Sequence, residues 1–271
     1  MIPSPATQGL VKWMTYLLAT LTVIACGFGL WHNDIYQDGP WANAQWLGQD
    51  AVTLVLATPL LLWSFHRMKG PSAWKWALVF AGVLFYFVYS YAFYLFAAKL
   101  TWLYLLQVPI FSLALMTLSV MLGHIFSDDH PLRGPTSRQR GLIAAYLLLI
   151  AAMVAGLWLA DIAGHLWVPG HRSDTPDGSA PLIIYSLDLA VVIPLMVASA
   201  IGLLRRQGWG WRLTGLMLVK TSTLGYSLMA MALSMYLQAL HPDTFLIGLW
   251  SVIGMIGTGL TIWFLALLRP A

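Results

Sequence analysis

The chain has 271 residues, of which 59% are hydrophobic and 9% charged, with no glutamate at all. So little polar surface cannot cover a water-soluble globule of this length, and lipid is the expected solvent. The net charge of +4 follows from basic residues clustered at the ends of apolar runs, so it calls for no nucleic-acid partner.

A helix needs about 20 apolar residues to cross a hydrocarbon core. Eight runs qualify, at roughly 10–31, 50–66, 76–98, 101–125, 141–160, 183–204, 211–237 and 245–268. All have helical length and none alternates as a strand does, so the expected fold is an all-α polytopic membrane protein and not a barrel.

The first run carries Cys26, the only cysteine, which excludes an internal disulfide and a thiolate metal cluster. Val23-Ile24-Ala25-Cys26 resembles a lipoprotein processing site. Cleavage there would remove a span that has a counterpart later in the chain, so Cys26 reads as a small core residue. An outer loop over about 31–49, with Trp31, Trp41 and Trp46, suits an interfacial aromatic belt. The second run opens at Asp50 and is kinked by Pro59. On the third, either Tyr86, Ser90 and Tyr94 or Tyr86, Tyr89 and Ser90 share a face at helical spacing, a face suited to lining a polar cavity with Gln107 of the fourth run. Lys99-Leu100-Thr101 joins these two runs in a tight hairpin.

A stretch rich in Pro, Gly and charge over 127–140, including Asp128 and Asp129, reads as an exposed linker. The fifth run follows, then a second long outer loop at about 161–182 with His165 and His171. The sixth run holds Asp188 and Pro194, and the seventh holds Lys220 and Tyr226.

The two halves echo one another. Gly29-Leu30-Trp31-His32-Asn33-Asp34-Ile35 returns as Gly156-Leu157-Trp158-Leu159-Ala160-Asp161-Ile162, and Asp50 and Asp188 each precede an arginine, Arg67 and Arg205, by the same interval. Four spans per half imply a parallel repeat: residues 1–126, a cytoplasmic linker at 127–140, and residues 141–271. Eleven of the fourteen basic residues fall on the side that carries both termini, which places that side in the cytoplasm.

Charges inside apolar runs are the candidate site. Lys220 follows Trp211 by nine residues, roughly 13 Å from the interface and near mid-membrane, where an ammonium needs a partner. Asp188, Asp50, Tyr86, Ser90, Gln107 and Tyr226 are the expected ligand-binding companions, although Asp50 and Asp188 also suit capping the helices they precede. For metal, the signal is weak: Asp161 and His165 are four apart on one helical face, His32 and Asp34 lie on the same side, and neither pair completes a recognised motif. With no nucleotide loop, serine elbow or haem attachment site, no cofactor is expected.

The segments Gly156–Ile162, Leu187-Asp188-Leu189-Ala190-Val191-Val192-Ile193-Pro194 and Leu203-Leu204-Arg205-Arg206-Gln207-Gly208-Trp209-Gly210 resemble a family of uncharacterised bacterial multi-spanning membrane proteins. The resemblance implies a bacterial inner membrane and carries no activity. The leading expectation is therefore a membrane binding or transport protein with a polar site between the halves, partnered by the bilayer and a small-molecule or ion ligand. A membrane enzyme with an outward His/Asp site, and a non-catalytic assembly or sensor component, are the alternatives.

Overall fold

The computed structural model describes residues 5–127, 132–240 and 244–270. Most of them lie in eight helices: α1 (Pro5–Trp31), α2 (Pro40–Arg67), α3 (Ala73–Phe96), α4 (Tyr104–Phe126), α5 (Ser137–Trp167), α6 (Leu182–Leu204), α7 (Gly208–Leu237) and α8 (Phe245–Leu267). Each is long and apolar enough to cross a membrane, so the fold is the all-α one expected and is consistent with an integral membrane protein. The one extended pairing among the described residues joins Leu132–Arg133 to Arg269–Pro270. The expected aspartate pair Asp128 and Asp129 lies outside the described residues.

Several helices begin earlier or end later than their apolar runs. α2 starts at Pro40, not Asp50: proline suits the first helical position, where its missing N–H costs nothing, and Gly39 precedes it in extended backbone. The expected loop over 31–49 is thus mostly helix, and Asp50 lies ten residues inside α2. Asp188 similarly lies six residues inside α6. Neither aspartate caps a helix, and that expectation is corrected. α5 starts at Ser137, inside the expected linker, because Thr136 and Gln139 close a capping box in which the Thr136 amide donates to Gln139 Oε1 at 2.8 Å. It also runs on to Trp167, which shortens the second long loop to 168–181.

Both prolines act as expected in interrupting their helices, by a common device. Residues Thr53–Ala57 of α2 and Asp188–Val192 of α6 form wide, π-type turns, and Pro59 and Pro194 each stand six residues after the first residue of the turn. A proline has no N–H and its ring crowds the carbonyl four residues back. Widening the turn relieves this, and the next free amides, of Thr58 and Ile193, donate to Thr53 O and Asp188 O. The Thr58 hydroxyl adds a second bond to the Thr53 carbonyl at 2.8 Å.

α3 and α7 form the centre. In the most apolar stretch of α3, 83% is buried within the bundle, and 61% in α7, against 17% in α8. A helix apolar on every side suits such a position, and α3 supplies Leu78, Phe80, Leu84 and Phe87 to the core. Association of helices in lipid depends on close packing, and glycines allow it here: a Cβ at Gly48 would run into the backbone of Ala230, and one at Gly82 into Val219 and the carbonyl of Leu216. α7 is thereby drawn against both α2 and α3. The apolar side chains left exposed, such as Trp13, Leu105, Leu149 and Ile262, form the surface that lipid would cover.

Candidate functional site

Two buried aspartates lie on either side of α3, and α3 gives a tyrosine to each. Asp50 accepts the Tyr94 hydroxyl at 2.8 Å on Oδ1 and the Tyr36 hydroxyl at 2.5 Å on Oδ2. Burial and the neighbouring Asp50 carboxylate push the Tyr36 hydroxyl well above its usual range, which keeps it a donor. Gly29 makes room for this pair, since a Cβ there would strike Asp50 Oδ2 and the Tyr36 hydroxyl. The segment that carries Tyr36 is tied down through Asp38, which accepts from Trp46 Nε1 at 2.9 Å and from the Lys99 amide at 3.0 Å.

Asp188 accepts the Tyr89 hydroxyl at 2.7 Å on Oδ1 and Trp158 Nε1 at 2.8 Å on Oδ2. Tyr89 lies five residues before Tyr94, which turns it to a different face of α3, toward α6. Beneath the Tyr89 ring sits Lys220: its Nζ is 4.0 Å from that ring's centroid and 5.7 Å from that of Phe85. Lys220 is wholly buried, and Nζ has no hydrogen-bond partner among the described residues. The buried Thr221 hydroxyl next to it also lacks one. Lys220 therefore faces the interior, as expected, but the expected direct contact with a carboxylate is absent among the described residues: the Tyr89 ring lies against Nζ and only its hydroxyl reaches Asp188. A ring face attracts a cation but offers no lone pair, so three N–H donors remain unmet.

Of the other expected residues, Tyr86 joins the two halves of the chain by hydrogen bonds to Thr53 Oγ1 at 2.8 Å and Ser227 Oγ at 3.4 Å. Ser90 is buried, its carbonyl accepts Gln49 Nε2 at 3.3 Å, and its hydroxyl has no partner within hydrogen-bonding distance among the described residues. Gln107 is buried on α4 and makes no hydrogen bond to this network. Tyr226 is turned away, toward Thr258 Oγ1 of α8 at 3.1 Å and the backbone at Gly254.

A second constellation occupies the loop between α5 and α6. Asp161 Oδ1 accepts His171 Nε2 at 2.6 Å, and Oδ2 accepts the Ser173 hydroxyl at 2.5 Å and the Tyr185 hydroxyl. His165 Nε2 lies 2.8 Å from Ser173 Oγ, and its ring meets that of His171 edge to face at 4.8 Å. His171 lies flat on α5 only because residue 164 is glycine; a Cβ there would enter the imidazole. The loop is held by its own bonds: Ser173 N to Gly178 O at 3.1 Å, and Arg172 Nη2 to Asp177 O at 2.7 Å. The hydroxyl and amide of Ser179 hold the Asp177 carboxyl below its usual range. Asp161 and His165 were expected as a pair from their spacing; His171 completes the group, while His32 and Asp34 do not belong to it.

The two sites share a pair of crossed bonds. On α5, Trp158 and Asp161 are three apart; on α6, Tyr185 and Asp188 are three apart; Trp158 donates to Asp188 and Tyr185 donates to Asp161. Sequence reasoning missed Trp158, Tyr185 and Ser173, and an aromatic residue three before an aspartate on each of two adjacent helices was the available signal. Trp31, the sequence counterpart of Trp158, is 84% exposed, because α1 stops there whereas α5 continues for nine residues beyond Trp158. Comparison of the chain with known protein families, curated proteins and solved structures finds no match.

Proposed function

We propose that this chain is a membrane binding or transport protein of a bacterial inner membrane, with cytoplasmic termini, whose polar interior takes a small anion at Lys220. The observation that carries the reading is the buried ammonium with no hydrogen-bond acceptor. An unpaired cation costs several kcal/mol or more in such a place, and what the site lacks is acceptors, which an anion or a carboxylate-bearing small molecule supplies. Lys220 on α7, Phe85 and Tyr89 on α3 and Asp188 on α6 come from both halves of the chain. The sidedness rests on the eleven basic residues near the ends of the bundle that carry the termini.

The test is thermal unfolding of the purified protein in detergent, at constant ionic strength, with chloride, nitrate, acetate and phosphate in turn. A ligand that binds only the native state raises the midpoint with concentration. At least one anion should do so for the native chain and not for Lys220→Met. Identical responses of the two proteins to every anion would refute the reading.

A second reading, an enzyme acting from the loop side, draws on the convergence of Asp161, His165 and His171. Hydrolytic chemistry there would use a histidine as base.

A further inference from the structure

We infer that Asp161, His165 and His171 form a binding site for a divalent transition cation of the zinc type, separate from the Lys220 site. One carboxylate and two imidazoles present ligand atoms that all lie within 4.8 Å of one another. Bonds of 2.0–2.1 Å in a tetrahedral centre impose a ligand spacing of about 3.4 Å, so closing on a cation requires side-chain movements on the order of an ångström. Two nitrogens and one carboxylate oxygen form the mixed donor set that suits zinc and its first-row neighbours and not calcium or magnesium, which take oxygen alone. The fourth position is open to water or to Ser173 Oγ, which stands between His165 Nε2 and Asp161 Oδ2.

The surroundings are those of a site and not of a chance surface cluster. Tyr185 and Ser173, both buried, donate to Oδ2 of Asp161 and leave Oδ1 for the cation. Hydrogen bonds of this kind to a ligating carboxylate orient it, and their loss typically weakens metal binding 10–100-fold. Gly164 lets His171 lie against α5, and the self-bonded turn after Arg172 fixes Ser173. The group remains reachable: His165 is exposed, His171 is 27% exposed, and residues 165–171 line an open depression of about 260 Å³.

A carboxylate oxygen only accepts, so in the cation-free state His171 Nε2 carries a proton toward Asp161 Oδ1. For Nε2 to bind the cation, that proton moves to Nδ1 of the same ring or leaves to solvent.

The experiment uses full-length protein without a polyhistidine tag, in detergent, stripped with chelator and titrated with zinc chloride by calorimetry. Cobalt(II) serves as a spectroscopic substitute. The expected results are one zinc per chain and the intense visible absorption of tetrahedral cobalt. His171→Ala and Asp161→Asn should abolish stoichiometric binding, Tyr185→Phe should weaken it about 10–100-fold, and Lys220→Met should leave it unchanged. Less than half an equivalent bound by the native chain overturns the inference, as does equal affinity in His171→Ala and the native chain. The first of these results needs no variant to fold. In the native chain, zinc binding without any anion response fails the Lys220 reading alone, and an anion response without zinc binding fails this one alone.

Discussion

Asp50, Asp188 and Lys220 were legible in the sequence because a charge inside an apolar run stands out against its neighbours. Of their partners, Tyr89 and Tyr94 stood out only as members of a tyrosine-rich face, and Tyr36 and Trp158 not at all. Tyr36, Tyr94, Tyr89 and Trp158 are donors with apolar bodies, and in an aromatic-rich stretch nothing distinguishes a ring used for packing from one whose polar tip is in use. The bonds they make have a testable consequence with a change of sign. Tyr94→Phe and Tyr36→Phe each remove one donor from a buried carboxylate, and each should lower stability by about 1–3 kcal/mol. With both removed, Asp50 is left an uncompensated buried charge. Asp50→Asn should therefore destabilise the native chain yet stabilise the double variant, as read from thermal or denaturant unfolding in detergent. Asp50→Asn lowering stability by the same amount in both backgrounds would mean that the two tyrosines do not support the charge.

Among the elements, α2 is where sequence and structure differ most. Its first turns carry Asn43, Gln45 and Gln49 and are too polar for an apolar run, so hydropathy starts the span at Asp50. What holds them helical is Pro40 at the start and the fit of Gly48 against α7, and close approach to a helix far along the chain leaves little local signal. The wide turns are the other hidden feature. The prolines announce an interruption, but not the extra residue that accommodates it. Such a turn is in effect one residue inserted into an α-helix, which makes a prediction about length. Deleting the exposed Val55 together with Pro59→Ala should restore a regular helix, keep both flanking segments in phase, and yield a monodisperse protein in detergent. Deleting Phe87 from the unbroken middle of α3 turns all that follows by about 100° and should abolish folding. Comparable yields of the two deletions would contradict this account of the turns.

For the molecule as a whole, eight helices and their order were readable from apolar runs alone, since hydrocarbon thickness sets their length. Which helices lie at the centre was less so: the near-total burial of α3 follows from its lack of a polar face and from Gly82, which brings α7 within backbone contact. Sidedness can be mapped directly, because Cys26 is the only cysteine. In a Cys26→Ser background, cysteines at Ser72 and Pro176, in the turns after α2 and α5, should react with an impermeant thiol reagent from opposite faces of sealed vesicles, Ser72→Cys from the face bearing the termini. Labelling of both from one face would contradict the topology. Anion binding at Lys220 is tested most sharply by a crystal structure of the protein in bromide, with the ion located by its anomalous scattering. A bromide is expected within hydrogen-bonding distance of Lys220 Nζ, with the Tyr89 ring displaced from its position over the ammonium. Bromide bound only on the outer surface, with Lys220 still packed under Tyr89, would contradict it.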